Sequence, residues 1–101
     1  MSKHDAKIYL NKGAKIAKDG QVTGILGKVI KGYPMRSGHL AVTFGSAGDK
    51  KLVKFHHMQA YEKFGDAIFE DGIVVRHLNG DPSDNSWDNI AIGTQSDNMM
   101  D

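Results

Sequence analysis

The chain has 101 residues, enough for one domain with a modest core and too few for two. It has no cysteine, which excludes disulfides and any thiolate zinc cage, and no apolar run long enough to cross a membrane or serve as a secretory signal. The net charge of +1 conceals a division: residues 1–64 hold 12 basic against 4 acidic side chains, residues 65–101 hold 1 against 8. Such a split suits one half that meets a polyanion and another that handles a cation, and equally suits acids and bases that neutralise each other across a folded surface.

Glycine-marked turns at Asp19-Gly20, Gly32, Ser37-Gly38 and 45–48 break the first half into short β-type runs. Strands are expected near 14–17, 21–23, 29–33, 39–44 and 51–55, alternating apolar with polar residues and placing Lys28, Lys31, Lys50, Lys51 and Lys54 on the wet face or in loops. The period then changes. Met58, Ala60, Tyr61 and Phe64 recur at helical spacing before Gly65, which predicts a helix over 57–64. A loop comes next, and Ile73-Val74-Val75 reads as a strand that delivers Arg76 and His77. The stretch 79–86 is rich in residues that bond their own backbone, so it reads as a long polar loop. Ile90-Ala91-Ile92 predicts a second strand, and Thr94 or Ser96 is placed to cap a final helix through 101. The expected core includes Tyr33, Phe44, Tyr61, Phe64, Phe69 and Trp87, with Met99 and Met100 covering the last helix.

Chemistry concentrates in the tail. Hydrolysis of a phosphodiester needs an activated water, charge relief on the phosphate and help for the departing oxygen. Histidine is the natural general base near neutral pH, and Mg²⁺ suits the other two tasks because it binds oxygen and asks few ligands of the protein. The tail offers His77 at a strand end, Asn89 in the loop beyond, and Asn98 further on. Asparagine supplies a neutral oxygen ligand and can also tie down a loop. Each residue has an ordinary structural use as well: a hydrogen-bonded histidine, turn-forming Asn85 and Asn89, a solvated Asn98.

Order and spacing carry the reading further. His77-Leu78-Asn79-Gly80-Asp81-Pro82, running on to Asn89-Ile90 and to Gly93 through Asn98, resembles the HNH motif of small phage-type and homing endonucleases. Phe55 through Tyr61 resembles the strand-to-helix segment that precedes the motif there. The resemblance covers about residues 50–101, with looser similarity upstream at Asp19-Gly20 and Gly38-His39-Leu40. It implies a ββα-metal (His-Me finger) fold in which His77 is the general base, Asn89 braces the loop that holds it, and Asn98 is a metal ligand. The implied products carry 5′-phosphate and 3′-hydroxyl ends.

One position departs from the pattern. Many relatives place an aspartate, a second metal ligand, just before the base, where this chain has Arg76. Arginine is a poor metal neighbour and a good phosphate clamp. His56 is either the second ligand or a residue that orients the loop or buries against the helix; His57 is either a surface residue or one that faces DNA.

The expectation is an α+β fold, a single domain over 1–101 with a basic β-rich part (1–55) that contacts DNA and a catalytic ββα-metal part (56–101). The function expected is a metal-dependent endonuclease acting on double-stranded DNA in the cytoplasm, using Mg²⁺ with Mn²⁺ as substitute. Cutting both strands takes either a homodimer or two visits. The rivals are an HNH scaffold that has lost its metal and only docks on DNA, and a ribonuclease using the same chemistry.

Overall fold

The computed structural model describes residues 3–45, 48 and 50–94. The chain opens with a helix that the sequence pattern did not reveal, α1 (Lys3–Asn11). It is mostly polar and buries only Ala6 and Tyr9, so its apolar stripe is too thin to announce a helical period. Two small antiparallel sheets come after it: β1 (Lys15–Ile16), β2 (Val22–Thr23) and β3 (Val29–Ile30) in order, then β4 (Tyr33–Pro34), β5 (Leu40–Phe44) and β6 (Lys51–Lys54).

The single strand expected over 29–33 is therefore two, parted at Gly32. There φ is +71°, and a Cβ would meet the Phe55 ring at 2.7 Å and the Ala41 carbonyl oxygen at 2.9 Å. Only glycine takes that conformation and that close approach together. The break sends Tyr33 into the second sheet at 44% exposure, which removes it from the expected core.

Helix α2 (Phe55–Phe64) starts directly after β6, two residues earlier than the periodicity placed it, and ends at Gly65 with φ +64°. Buried Phe55 and Met58 join Ala6, Tyr9, Ala14, Val22, Val42 and Val53 in one core. Buried Ala60 joins Ile68 and Ile90 in another, with Tyr61, Phe64 and Phe69 packed against it. Phe44 packs on the first core, whereas Trp87 is only half-buried, with the Lys18 and Lys63 ammonium groups 5.5 and 5.7 Å from its ring. The α2 helix thus contributes to both cores and links the two halves of the molecule.

A 3-10 turn (Gly65–Phe69) occupies most of what read as open loop. Beyond it, β7 (Ile73–His77) pairs antiparallel with β8 (Ile90–Thr94), and His77 stands opposite Ile90 at the end of the ladder. The expected final helix, with Asn98, Met99 and Met100, lies outside the described residues. Among the described residues no helix is long and apolar enough to cross a membrane.

Candidate active site

The β7 strand ends on His77, and the chain then makes a tight turn in which the Gly80 amide donates to the His77 carbonyl at 3.0 Å. The loop beyond this turn is held by its own side chains. Asp81 accepts from the Ser83 amide and hydroxyl, and Asp84 from the Ser86 amide and hydroxyl; these bonds hold both carboxyls below their ordinary range.

Asn89, 7% exposed, binds the loop at its two ends. Its Oδ1 accepts from the Asn79 amide at 2.9 Å, and its Nδ2 donates to the Asn79 side chain and to the Asp84 carbonyl, each at 2.9 Å. Every polar atom of that side chain is used on the loop, and none on the histidine ring.

The ring itself is held by Asn85, a residue that read as a simple turn former. Asn85 Oδ1 lies 3.1 Å from His77 Nε2, and the amide is oriented by Asn85 Nδ2 donating to the Ser83 carbonyl at 3.4 Å. An amide oxygen only accepts, so His77 Nε2 carries the proton and Nδ1 keeps the lone pair. The contact thereby selects Nδ1 as the nitrogen left to accept a proton.

Asn85 is in turn anchored from the other half of the chain. Gln59, fully buried on α2, donates from Nε2 to the Asn85 carbonyl and to the Ala17 carbonyl, each at 2.8 Å. The Trp87 amide donates to the Lys18 carbonyl at 2.7 Å, and Gly20 packs so tightly on the loop that a Cβ would lie 3.0 Å from the Asn85 carbonyl carbon. The Asp19-Gly20 turn, the helix and the loop are one clamp. Local sequence pattern gives no sign of Gln59, because its partners are 42 and 26 residues away.

Around His77 is an open cleft of about 500 Å³ lined by Ser37, His39, His56, Arg76, His77 and Pro82, with Val75 and Gly80. Three imidazoles meet there from three elements. The His39–His56, His56–His77 and His39–His77 centroids are 4.5, 5.1 and 5.3 Å apart. His56 is 5% exposed and its Nδ1 is buried with no hydrogen-bond partner among the described residues. Burial, reinforced by the positive character of neighbouring His57, His39, His77 and Lys54, holds its pKa far below the ordinary value. His39 is shifted down for the same first reason, with His77 and Lys54 adding to it.

His57 points elsewhere. It lines a separate cavity with Lys3, His4, Phe69 and residues 73–75, and burial with Lys54 and Lys3 nearby brings its pKa down to about 3. It is half-buried and does not line the cleft around His77.

The cleft therefore brings together His77, Arg76 and His56 of the sequence-derived residues; Asn89 stands behind them, and Asn98 lies outside the described residues. Sequence reasoning missed Asn85, Gln59 and His39. The nearest signal was the loose Gly38-His39-Leu40 likeness. Among the described residues no group of three or more His, Cys, Asp or Glu side chains is arranged to hold a metal ion by itself. The Nδ1 of buried His56 has no hydrogen-bond partner among the described residues, and an imidazole nitrogen is a ligand type that suits transition ions better than Mg²⁺.

Comparisons with known proteins bear on the family likeness and the fold. The family model described as HNH endonuclease matches residues 53–100, from β6 through the strand, loop and strand that carry His77 and beyond. No curated protein matches the chain. A solved structure titled "DNA binding and cleavage by the HNH homing endonuclease I-HmuI" is similar in fold, with a TM-score of 0.66 and 24% identity over 86% of this chain. The chain spans about half of that protein, 49% of its length. The similarity takes in far more of the chain than the family match, so the shared fold extends beyond residues 53–100. Residues 53–100 thus match the HNH endonuclease family model, and the chain has the mixed α/β fold of a solved HNH homing endonuclease.

Proposed function

We propose that this chain is a metal-dependent endonuclease that hydrolyses double-stranded DNA to 5′-phosphate and 3′-hydroxyl ends, with His77 as its general base. The observation that carries the reading is the contact that orients His77: Asn85 Oδ1, 3.1 Å from Nε2, accepts a hydrogen bond from it and leaves Nδ1 to accept a proton from water. Asn89 keeps the loop closed around that contact. Arg76, beside His77 in the same cleft, binds the phosphate by the paired donors that arginine offers.

Asn98 and His56 would hold a divalent metal, Mg²⁺ or Mn²⁺. The buried Nδ1 of His56 that lacks a partner supports this assignment. When bound, such an ion supplies charge relief on the phosphate and on the departing oxygen. The domain division follows the charge: residues 1–55, with most of the lysines, contact the DNA backbone, and residues 56–101 carry the chemistry. Cutting both strands then takes a homodimer or two visits.

A second reading has one observation in its favour. Arg76 puts a cation in the cleft where many relatives have a metal-binding carboxylate, which suits a scaffold that docks on DNA without cutting it. Plasmid DNA and RNA incubated side by side with Mg²⁺, Mn²⁺ or EDTA test these readings. Metal-dependent cutting of the plasmid, abolished by EDTA, is the expected result. DNA binding with no cutting in any metal selects the docking scaffold, and cutting confined to RNA selects a ribonuclease.

A further inference from the structure

Resting on the nuclease reading of the cleft, we infer that His39 is a substrate-contacting residue that donates a hydrogen bond from Nε2 to a non-bridging oxygen of the phosphate attacked under His77. Three observations carry it. The His39 ring lines the same cleft as His77 and Arg76, its centroid 5.3 Å from that of His77. It arrives from the N-terminal half, just ahead of β5, so it faces His77 across the cleft and does not stand beside it on β7. Its Nδ1 is engaged by Ser37 Oγ at 2.8 Å, while none of the described residues hydrogen-bonds its Nε2.

The chemistry follows from the tautomer. When the Ser37 hydroxyl donates to Nδ1, the neutral ring must carry its proton on Nε2 and becomes a donor there. Reacting atoms in a productive complex are about 3 to 3.5 Å apart. A phosphate close enough to meet a water held by His77 is therefore also within reach of a ring 5.3 Å from that histidine. His77 and His39 then take opposite parts on neighbouring atoms: one accepts a proton from water, the other donates a hydrogen bond to oxygen that gains charge. His39 transfers no proton. Ser37, which acts through His39, is a positioning residue. The arrangement also means that the N-terminal half supplies part of the reaction site as well as a basic surface.

The test uses the full chain in single-turnover cleavage of duplex DNA at saturating protein, with Mg²⁺, comparing wild type with His39→Gln, His39→Phe, His39→Ala and Ser37→Ala. Loss of one donor to a developing anionic oxygen slows the chemical step on the order of a hundredfold. His39→Ala and His39→Phe should fall about that far with little change in DNA affinity. His39→Gln, whose amide can donate from a similar place, should recover much of the rate. Ser37→Ala should lose rate less than His39→Ala, because it frees the tautomer without removing the donor. The pH–rate profile of His39→Gln should keep its wild-type shape, since the group that titrates is elsewhere. A His39→Phe enzyme as fast as wild type overturns the inference by showing that ring packing suffices. A His39→Gln profile that loses its titrating limb also overturns it, by making His39 the base. A wild type that cuts no DNA in any divalent metal brings down the nuclease reading and this inference together, whereas an active wild type matched by His39→Ala brings down this inference alone. Thermal melting of each variant separates these outcomes from misfolding.

Discussion

If His77 is the base, it has to offer water an unprotonated nitrogen, and the neighbour that orients its ring is a neutral amide. Asn85 Oδ1 lies 3.1 Å from Nε2 and accepts from it, so the ring is oriented by a neutral amide. Asn85→Ala should therefore cut more slowly by about ten- to hundredfold, the usual scale for removing the partner that orients a reactive imidazole. Single-turnover rates check it, and a wild-type rate in a folded Asn85→Ala protein would show that the tautomer is held some other way. Arg76 is the next residue at risk. If it clamps phosphate, Arg76→Ala loses cleavage at saturating Mg²⁺ and Arg76→Asp gains none; an Arg76→Asp variant more active than wild type would mark a displaced metal ligand instead.

The buried histidines give a stability prediction at the same scale. His57, with its folded pKa about 3, refuses a proton that the unfolded chain accepts below about pH 6.5. The unfolded state thus binds more protons between those limits, and stability falls as pH drops through that window. His56 is shifted in the same direction by its burial. Each such group contributes at most about 1.4 kcal/mol per pH unit. Melting in EDTA should show a lower Tm at pH 5.5 than at pH 7.5, with a smaller drop in His57→Gln. An equal or higher Tm at pH 5.5 would contradict it. Asp81 and Asp84 do not confuse the comparison, because their lowered pKa values lie below this range.

At the level of elements, the features legible in the sequence are those that depend on near neighbours. Val74-Val75 running into His77, the turn-forming loop and Ile90-Ala91-Ile92 each carry their own signal, and the β7–β8 pair stands where those signals place it. The helix after Phe55 is visible from Met58, Tyr61 and Phe64. The features missed are the long-range ones. The α1 helix has only Ala6 and Tyr9 to bury, so its apolar stripe vanishes in a polar sequence, and the break at Gly32 exists because the Phe55 ring lies against it. Asn85 looks like any other turn asparagine, since the bonds that single it out come from Gln59 on α2 and from His77 itself. Gln59→Leu should accordingly reduce both stability and rate: the Asn85 carbonyl loses this donor, at about 1 to 3 kcal/mol if it stays buried and unpaired, while the Ala17 carbonyl keeps the Gly20 amide. Urea unfolding and cleavage measured on the same variant test this. Unchanged stability and rate would mean that the clamp is incidental.

Over the whole molecule the charge division and the fold act together. The lysine-rich half supplies the two small sheets and His39, and the acid-rich half supplies the loop and strand pair, so the cleft lies where the two meet. If the lysines contact phosphates, affinity for duplex DNA falls steeply with salt, and changing Lys28, Lys31 and Lys54 to Gln together lowers the log–log slope by about 0.9 for each phosphate no longer neutralised. The same treatment of Asp66, Glu70 and Asp71 should not lower it; an unchanged slope in the lysine variant would leave the asymmetry as surface decoration. The central claim, that the cleft hydrolyses DNA with His77 as base, is tested most directly by one measurement: single-turnover cleavage of duplex DNA by wild type and His77→Ala at matched DNA occupancy. The expected result is an active, metal-dependent wild type and a variant that binds DNA normally but cuts it slower by on the order of 10² to 10⁴. A folded His77→Ala protein that cuts at the wild-type rate would contradict the account.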